Sequence, residues 1–273
     1  MGNIILVSFA DTKFKPTADR LRKEAEGFGL FSSINILNEN DFEGWYRKKY
    51  WFRLQQKGMG FWMWKSYVVK MYYDRLEDGD VIFYIDAGCV LNKEGKNRFN
   101  EYIDYVNKSK SGILVFQQKE HVEKYNTKAD VFHFFECLDR KDITDTPQLY
   151  AGSFFIQKRA SNDPIVKKLY DTCHNHFGLL SDNPSVHANF SGFQRHKYDQ
   201  SIFSVLMKLY RPVTLSSEET YTNGDWGELR DFPILSKRLK SYQKKGLFIH
   251  RLLFAYRRML NFLVVKDIIR FDK

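Results

Sequence analysis

The chain has 273 residues, 43% of them hydrophobic and 16% aromatic, with only 16 Gly and 6 Pro. That composition supports one sizeable core and excludes disordered and collagen-like chains. Its formal net charge is +10, yet eleven Lys and Arg against Asp267 and Asp272 place +9 of it in residues 237–273, so residues 1–236 are nearly neutral and no nucleic-acid partner is expected.

No basic lead precedes the apolar run Ile4-Ile5-Leu6-Val7, which reads as a buried strand within residues 3–9 rather than a secretory leader. Residues 16–29 read as a helix opened by Pro16 and closed by Gly29. A strand over 31–37 follows, then a helix over 41–57 rich in aromatic and basic side chains, including Trp45, Arg47, Lys48, Lys49 and Trp51. A second helix is expected over 61–76. Asp78-Gly79-Asp80 is a turn leading into the strand 81–85, which ends at Asp86. A helix over 94–108 and strands over 112–116 and 150–157 continue the alternation. The fold class is therefore α/β, an α/β/α sandwich on a mostly parallel central sheet, with ligands at the carboxyl ends of its strands.

Three cysteines, Cys89, Cys137 and Cys173, are widely spaced and lack a CxxC partner, so neither a disulfide framework nor a zinc cluster is expected and a cytoplasmic setting fits. In the tail, Leu252, Leu253, Tyr256, Met259, Leu260, Leu263 and Val264 recur at spacings of three and four between Arg251, Arg257, Arg258, Lys266 and Arg270. This reads as a basic amphipathic helix. It suits the anionic face of a membrane, or packs on the core as ordinary C-terminal helices do. The division expected is a catalytic unit over 1–236 and this tail over 237–273. No run of ~18 apolar residues is long enough to span a bilayer.

The sharpest local feature is Tyr84-Ile85-Asp86-Ala87-Gly88-Cys89. A carboxylate at the end of a buried strand, beside Ala87 and Gly88, lets an anionic ligand or its metal come close to the backbone. The run from Gly60-Phe61-Trp62-Met63-Trp64-Lys65 through to Asp86-Ala87-Gly88 resembles the nucleotide-sugar core of GT-A glycosyltransferases, of the bacterial capsule and lipopolysaccharide type, distantly similar to the glycogenin-like families. Leu149-Tyr150-Ala151-Gly152-Ser153 resembles the strand beneath the donor sugar, and Arg195-His196-Lys197-Tyr198-Asp199-Gln200 the Asp-Gln element near the reacting carbon. By itself, a carboxylate opening a helix is equally a cap.

The resemblance implies donor binding by Phe9, Ala10, Lys65, Asp86, Ala87, Gly88 and Gly152, and catalysis by Asp199 with Gln200. It implies a nucleotide-sugar donor, a UDP-sugar first among them, a saccharide or lipid-linked saccharide acceptor, and a divalent cation, Mn²⁺ or Mg²⁺, on Asp86 with His250. The sequence departs from the family where Gly88 stands in place of a second aspartate. Lys65 is expected on the diphosphate, and retention is the outcome the resemblance favours. A sugar-phosphate nucleotidyltransferase is the first rival, but Ser8-Phe9-Ala10-Asp11-Thr12 lacks the glycine-rich basic loop such enzymes carry. The second rival is a non-catalytic, membrane-associated binding module on a degenerate sugar-nucleotide fold.

Overall fold

A computed structural model describes residues 2–239. In chain order its elements are β1 (Ile4–Phe9), α1 (Lys15–Phe28), β2 (Ser33–Leu37), α2 (Gly44–Lys49), α3 (Trp51–Leu54), α4 (Lys57–Phe61), α5 (Trp64–Tyr73), β3 (Val81–Ile85), β4 (Val90–Leu91) and α6 (Lys96–Lys108). They continue with β5 (Ile113–Val122), α7 (Glu123–Asn126), α8 (Ala129–Phe134), α9 (Lys141–Thr144), β6 (Pro147–Gln157), α10 (Asp163–Asn175), α11 (Phe177–Leu180), α12 (Asp199–Leu209), β7 (Val213–Ser216) and β8 (Ile234–Leu235).

The main sheet has the order β2-β1-β3-β6-β5-β7. Among the described residues β6 alone runs against the other five strands, pairing antiparallel with both β3 and β5. The register places Leu6 beside Ile34 and Phe83, Phe83 beside Phe155, and Phe155 beside Leu114. Since alternate residues of a strand face opposite ways, this row belongs to one face and its neighbours to the other. Leu21, Ala25 and Phe28 of α1 with Phe99, Tyr102 and Val106 of α6 cover the first face. The second is covered by Val68 and Val69 of α5, Ile165 and Leu169 of α10, and Ile202 and Val205 of α12. Both faces are covered, which explains why residues 4–7 of β1 and the whole of β3 read as apolar runs. The α/β/α sandwich expected from the alternation of elements is what the chain forms.

Two expected helices differ. Residues 41–57 break into α2, α3 and the start of α4, and the helix expected from residue 61 begins at Trp64. The cause is local: Gly58, Met59, Gly60, Phe61 and Trp62 all have positive φ, between 52° and 84°, a left-handed turn that no right-handed helix can cross. Three of these five residues carry side chains, at a cost of roughly 1–2 kcal/mol each. Packing offsets it: the Phe61 and Trp62 rings lie 5.2 and 5.7 Å from the Tyr198 ring, and the Trp64 indole donates to the Gly58 carbonyl at 3.0 Å. The strand expected over 112–116 runs on to Val122, and that expected over 150–157 begins at Pro147. Cys89, Cys137 and Cys173 are free and buried. The expected tail helix, with His250, lies outside the described residues.

Candidate active site

The carboxyl ends of β1 and β3 meet one edge of the sheet. Because β6 is antiparallel, that edge receives its Tyr150–Gly152 stretch, and the Asp86 amide donates to the Gly152 carbonyl at 2.7 Å. The turn after β3 is fixed from several sides. Arg20 of α1 donates to the carbonyls of Ala87 at 2.6 Å and Cys89 at 2.9 Å, and the Ser8 hydroxyl donates to the Ile85 carbonyl at 2.6 Å. From the far end of the described chain, the Leu239 amide donates to the Gly88 carbonyl at 2.8 Å.

Onto this edge α5 projects Lys65 and the first residue of α12 projects Asp199. The Lys65 ammonium lies 2.7 Å from Asp199 Oδ2 and 3.4 Å from Asp86 Oδ1, and donates to the Ala151 carbonyl at 3.0 Å. The Ala151 carbonyl takes the ammonium's hydrogen bond, and the two carboxylates hold it as ion pairs that leave Asp199 Oδ2 without a hydrogen-bond donor. The Tyr84 hydroxyl donates to Asp86 Oδ1 at 2.8 Å, on the same oxygen. Asp86 keeps 40% of its side-chain surface open, Asp199 only 14% and Lys65 10%. Burial pulls the Lys65 ammonium toward deprotonation, but Asp199 and Asp86 more than offset it, and its pKa is raised above the usual lysine range. Asp199 is shifted upward chiefly by burial, against the pull of Lys65. With two carboxylates on one ammonium, the group carries a net charge of −1 that opens to solvent at Asp86.

Asp86, Lys65 and Asp199, far apart in sequence, are therefore brought into direct contact. Gln200 lies beside them, donating to Gln118 at 2.9 Å and Gln148 at 2.8 Å, an amide chain that fixes the start of α12. Phe9 and Ala10 sit at the end of β1 but are buried, and Phe9 packs on Trp64 with ring centroids 4.0 Å apart. The space left by the absent Cβ of Gly152 is filled by the Tyr150 hydroxyl, which such a Cβ would meet at 2.2 Å. Room for a donor sugar is thus not what that glycine supplies here. Lys65, expected on a diphosphate, is ion-paired with Asp199 and Asp86 and donates to the Ala151 carbonyl. The basic run Arg47-Lys48-Lys49 lies on α2, where Lys49 stands over Tyr50.

Asp86 and Asp199 already share an ammonium, and Gly88 supplies no donor. Among the described residues no group of three His, Cys, Asp or Glu could hold a metal ion. A divalent ion would have to enter beside a fixed positive charge with one open carboxylate, so the described donor set does not fit it. His250 lies outside that set.

Sequence reasoning missed Lys197, two residues before Asp199. Burial and the nearby Arg195 lower its pKa to about 7, with Arg238 acting in the same direction and Glu123 against it. The available signal was the density of bases in Arg195-His196-Lys197 just ahead of the aspartate. Tyr198 between them adopts φ 51°, ψ −123°, and its hydroxyl accepts from Lys57 at 2.6 Å. That strained backbone is held by the packing of the Tyr198 ring on Phe61 and Trp62.

No family model matches the sequence, and no curated protein sequence does so significantly. Solved structures are similar in fold. One is a glycosyltransferase involved in the glycosylation of the major capsid of PBCV-1, at a TM-score of 0.47 and 12% identity, over 94% of this chain and 99% of that one. Mouse xyloside xylosyltransferase 1 is similar at 0.43 and 10%, over 88% and 95%. The glycosyltransferase GlyE of Streptococcus pneumoniae TIGR4 is similar at 0.43 and 16%, over 98% of this chain and 64% of that one.

Proposed function

We propose that the chain is a glycosyltransferase moving a sugar from a nucleotide-diphosphate sugar to a saccharide acceptor, in bacterial surface polysaccharide synthesis. The observation that carries this reading is the convergence of Asp86, Lys65 and Asp199 at the carboxyl edge of a mostly parallel sheet. Ligands of such sheets bind there. A buried carboxylate fixed by a buried ammonium is a preorganised negative charge, and glycosyl transfer needs one where an oxocarbenium-like carbon develops. Asp199 takes that role, Lys65 holds it in place, and Gln200 orients the helix start that carries it. Asp86, the open member, faces the donor.

Retention follows in this reading, because an acid held on an ammonium beneath the reacting carbon stabilises positive charge more readily than it accepts an acceptor proton. A UDP-sugar is the first donor to try. Residues 1–236 form the catalytic unit, and residues 237–273 a basic tail resting on the cytoplasmic face of an anionic membrane, where a lipid-linked acceptor would be presented. Among the described residues no helix is long and apolar enough to cross a membrane.

The test is a thermal-shift screen of the full chain against UDP-, GDP- and CMP-sugars, followed by nucleotide-release assays on the hits. A nucleotide-sugar that raises Tm and is slowly hydrolysed supports the reading. Binding without any release favours the non-catalytic module, and no shift with any donor sinks the assignment.

A further inference from the structure

The aromatic and basic stretch over α2 and α3 has two faces, and the fold uses one of them. The Tyr50 amide donates to the Tyr46 carbonyl at 3.0 Å and the Leu54 amide to the Tyr50 carbonyl at 2.9 Å, so the helical path carries on through the junction of the two helices. Tyr46, Tyr50 and Leu54, spaced by four, are buried in the core. Tyr46 stacks on Tyr67 with ring centroids 3.7 Å apart, its hydroxyl lies 2.9 Å from His174 Nε2, and Arg53 donates to the His174 carbonyl. That face is closed and pinned to α5 and α10.

The other face is open. Trp45, Lys48, Lys49 and Phe52 follow one another at helical spacing with Arg47 and Trp51 beside them, and all six are exposed. Among the described residues Trp45, Trp51 and Phe52 are the exposed Trp and Phe side chains, at 51%, 47% and 38%. Exposed apolar residues scattered singly are ordinary, whereas large rings gathered among polar neighbours mark an interaction surface. The charge here has one sign: residues 44–54 hold Arg47, Lys48, Lys49 and Arg53 and no acid. Glu43, just ahead of them, accepts from the Trp45 indole, and Lys49 stands 5.3 Å over the Tyr50 ring. Among the described residues none of Arg47, Lys48 and Lys49 is in an ion pair.

We infer that this face is a membrane contact on the body of the protein, separate from the basic tail and fitted to an anionic lipid surface. Aromatic rings settle at the boundary between headgroups and acyl chains, while arginine and lysine beside them meet lipid phosphates. A flexible polyanion would satisfy the bases and leave the rings in water. An apolar protein groove would cover the rings and leave the bases unpaired. A bilayer with acidic headgroups answers both. The face also adjoins the acidic group, since Lys57, three residues beyond α3, donates at 2.6 Å to the hydroxyl of Tyr198, the residue before Asp199. The use of that nearness, to bring a lipid-linked acceptor to Asp199, rests on the glycosyl-transfer reading; the lipid contact itself does not.

The experiment is co-sedimentation of the full chain with vesicles of phosphatidylcholine alone and of an equimolar mixture with phosphatidylglycerol, together with quenching of tryptophan fluorescence by lipids brominated on their acyl chains. Binding to the acidic vesicles is expected, weakening as salt is raised. Arg47→Gln, Lys48→Gln and Lys49→Gln combined should lower that affinity by ~10²-fold, the scale of three bases near an anionic surface. The tail is intact in this variant, so the loss belongs to this face. Trp45→Phe with Trp51→Phe should bind as the parent does and lose most of the quenching, because Trp62, Trp64 and Trp226 are buried or half-buried. Both variants should keep the parent's Tm, since only exposed side chains are changed. Equal partitioning to the two kinds of vesicle, an unchanged affinity in the triple variant, or no quenching in the parent overturns the inference. Capture by polyglutamate in preference to acidic vesicles also overturns it and gives the face to an acidic protein. Nucleotide release from a soluble donor is scored separately and should be equal in parent and variants, so failure of the lipid contact leaves the glycosyl-transfer reading standing.

Discussion

Lys65 and Lys208 act on opposite ends of the same helix, α12, and are built alike up to a point. Each places a buried ammonium among three acceptors: Asp199, Asp86 and the Ala151 carbonyl for Lys65; Glu123 and the carbonyls of Ile143 and Thr146 for Lys208. They differ in closure. Glu123 is fully buried, its oxygens satisfied by Thr127, Gln148 and Ser204 as well as by Lys208, so the assembly is neutral and shut. The Lys65 assembly carries a second carboxylate, and that carboxylate is open. Their pKa values diverge accordingly: burial lowers that of Lys208 despite Glu123, whereas two carboxylates raise that of Lys65. A buried lysine is thus no marker of a site. What separates the two assemblies is an unbalanced charge left open on one side.

The comparison breaks hardest at Glu123. Glu123→Ala strands a buried ammonium, and a loss of about 3–5 kcal/mol is expected in denaturant unfolding, with activity per folded molecule retained. Equal losses of stability and specific activity would erase the distinction between the two assemblies. Lys65→Met should act on both quantities, because Asp86 and Asp199 are then left facing each other without their ammonium. Turnover falls by at least ~10²-fold, the scale of losing preorganised charge, together with a drop in Tm. Asp86→Ala sharpens the contrast from the open side. Donor affinity should weaken by ~10-fold or more in titration calorimetry while Tm stays near that of the parent, since the side chain is half-exposed at a strand end.

The smallest expected effect is a pH dependence of opposite sign. The folded pKa of Lys208 lies below its unfolded value of about 10.4, so between the two the unfolded chain holds more protons and stability rises with pH. Lys65 has the raised value, so its contribution is complete below about 10.4 and is lost only as pH climbs through its folded pKa. Melts from neutral to alkaline pH should show the parent gaining on Lys208→Met. No change in their difference would remove the assigned asymmetry.

Much of this was legible in the sequence wherever local chemistry decides. The apolar runs of β1 and β3, the proline and glycine bounding α1, and the aspartate ending β3 are local signals, and the structure places them as expected. Asp199 was legible as an acid at a helix start. What could not be read depends on contacts across the chain. The antiparallel course of β6 is set by pairing with β3 and β5. The left-handed turn at residues 58–62 is held by Tyr198, more than a hundred residues on. The partners of Lys65 come from three separate elements, and no spacing rule joins them. Arg238 reaches the Asp86 turn only because the chain after β8 returns over Gly88.

The central claim is that the open, unbalanced assembly performs glycosyl transfer, and Asp199→Asn tests it most directly. The substitution keeps the shape of the side chain and removes its charge, while the Glu123 assembly is untouched. Release of nucleoside diphosphate from the donor identified by thermal shift is measured for parent and variant, with the anomer of the product read by NMR. A fall of at least ~10²-fold in turnover, at nearly unchanged donor affinity and with a retained anomer from the parent, is expected. Turnover equal to that of the parent would reduce Asp199 to a structural partner of Lys65 and contradict the claim.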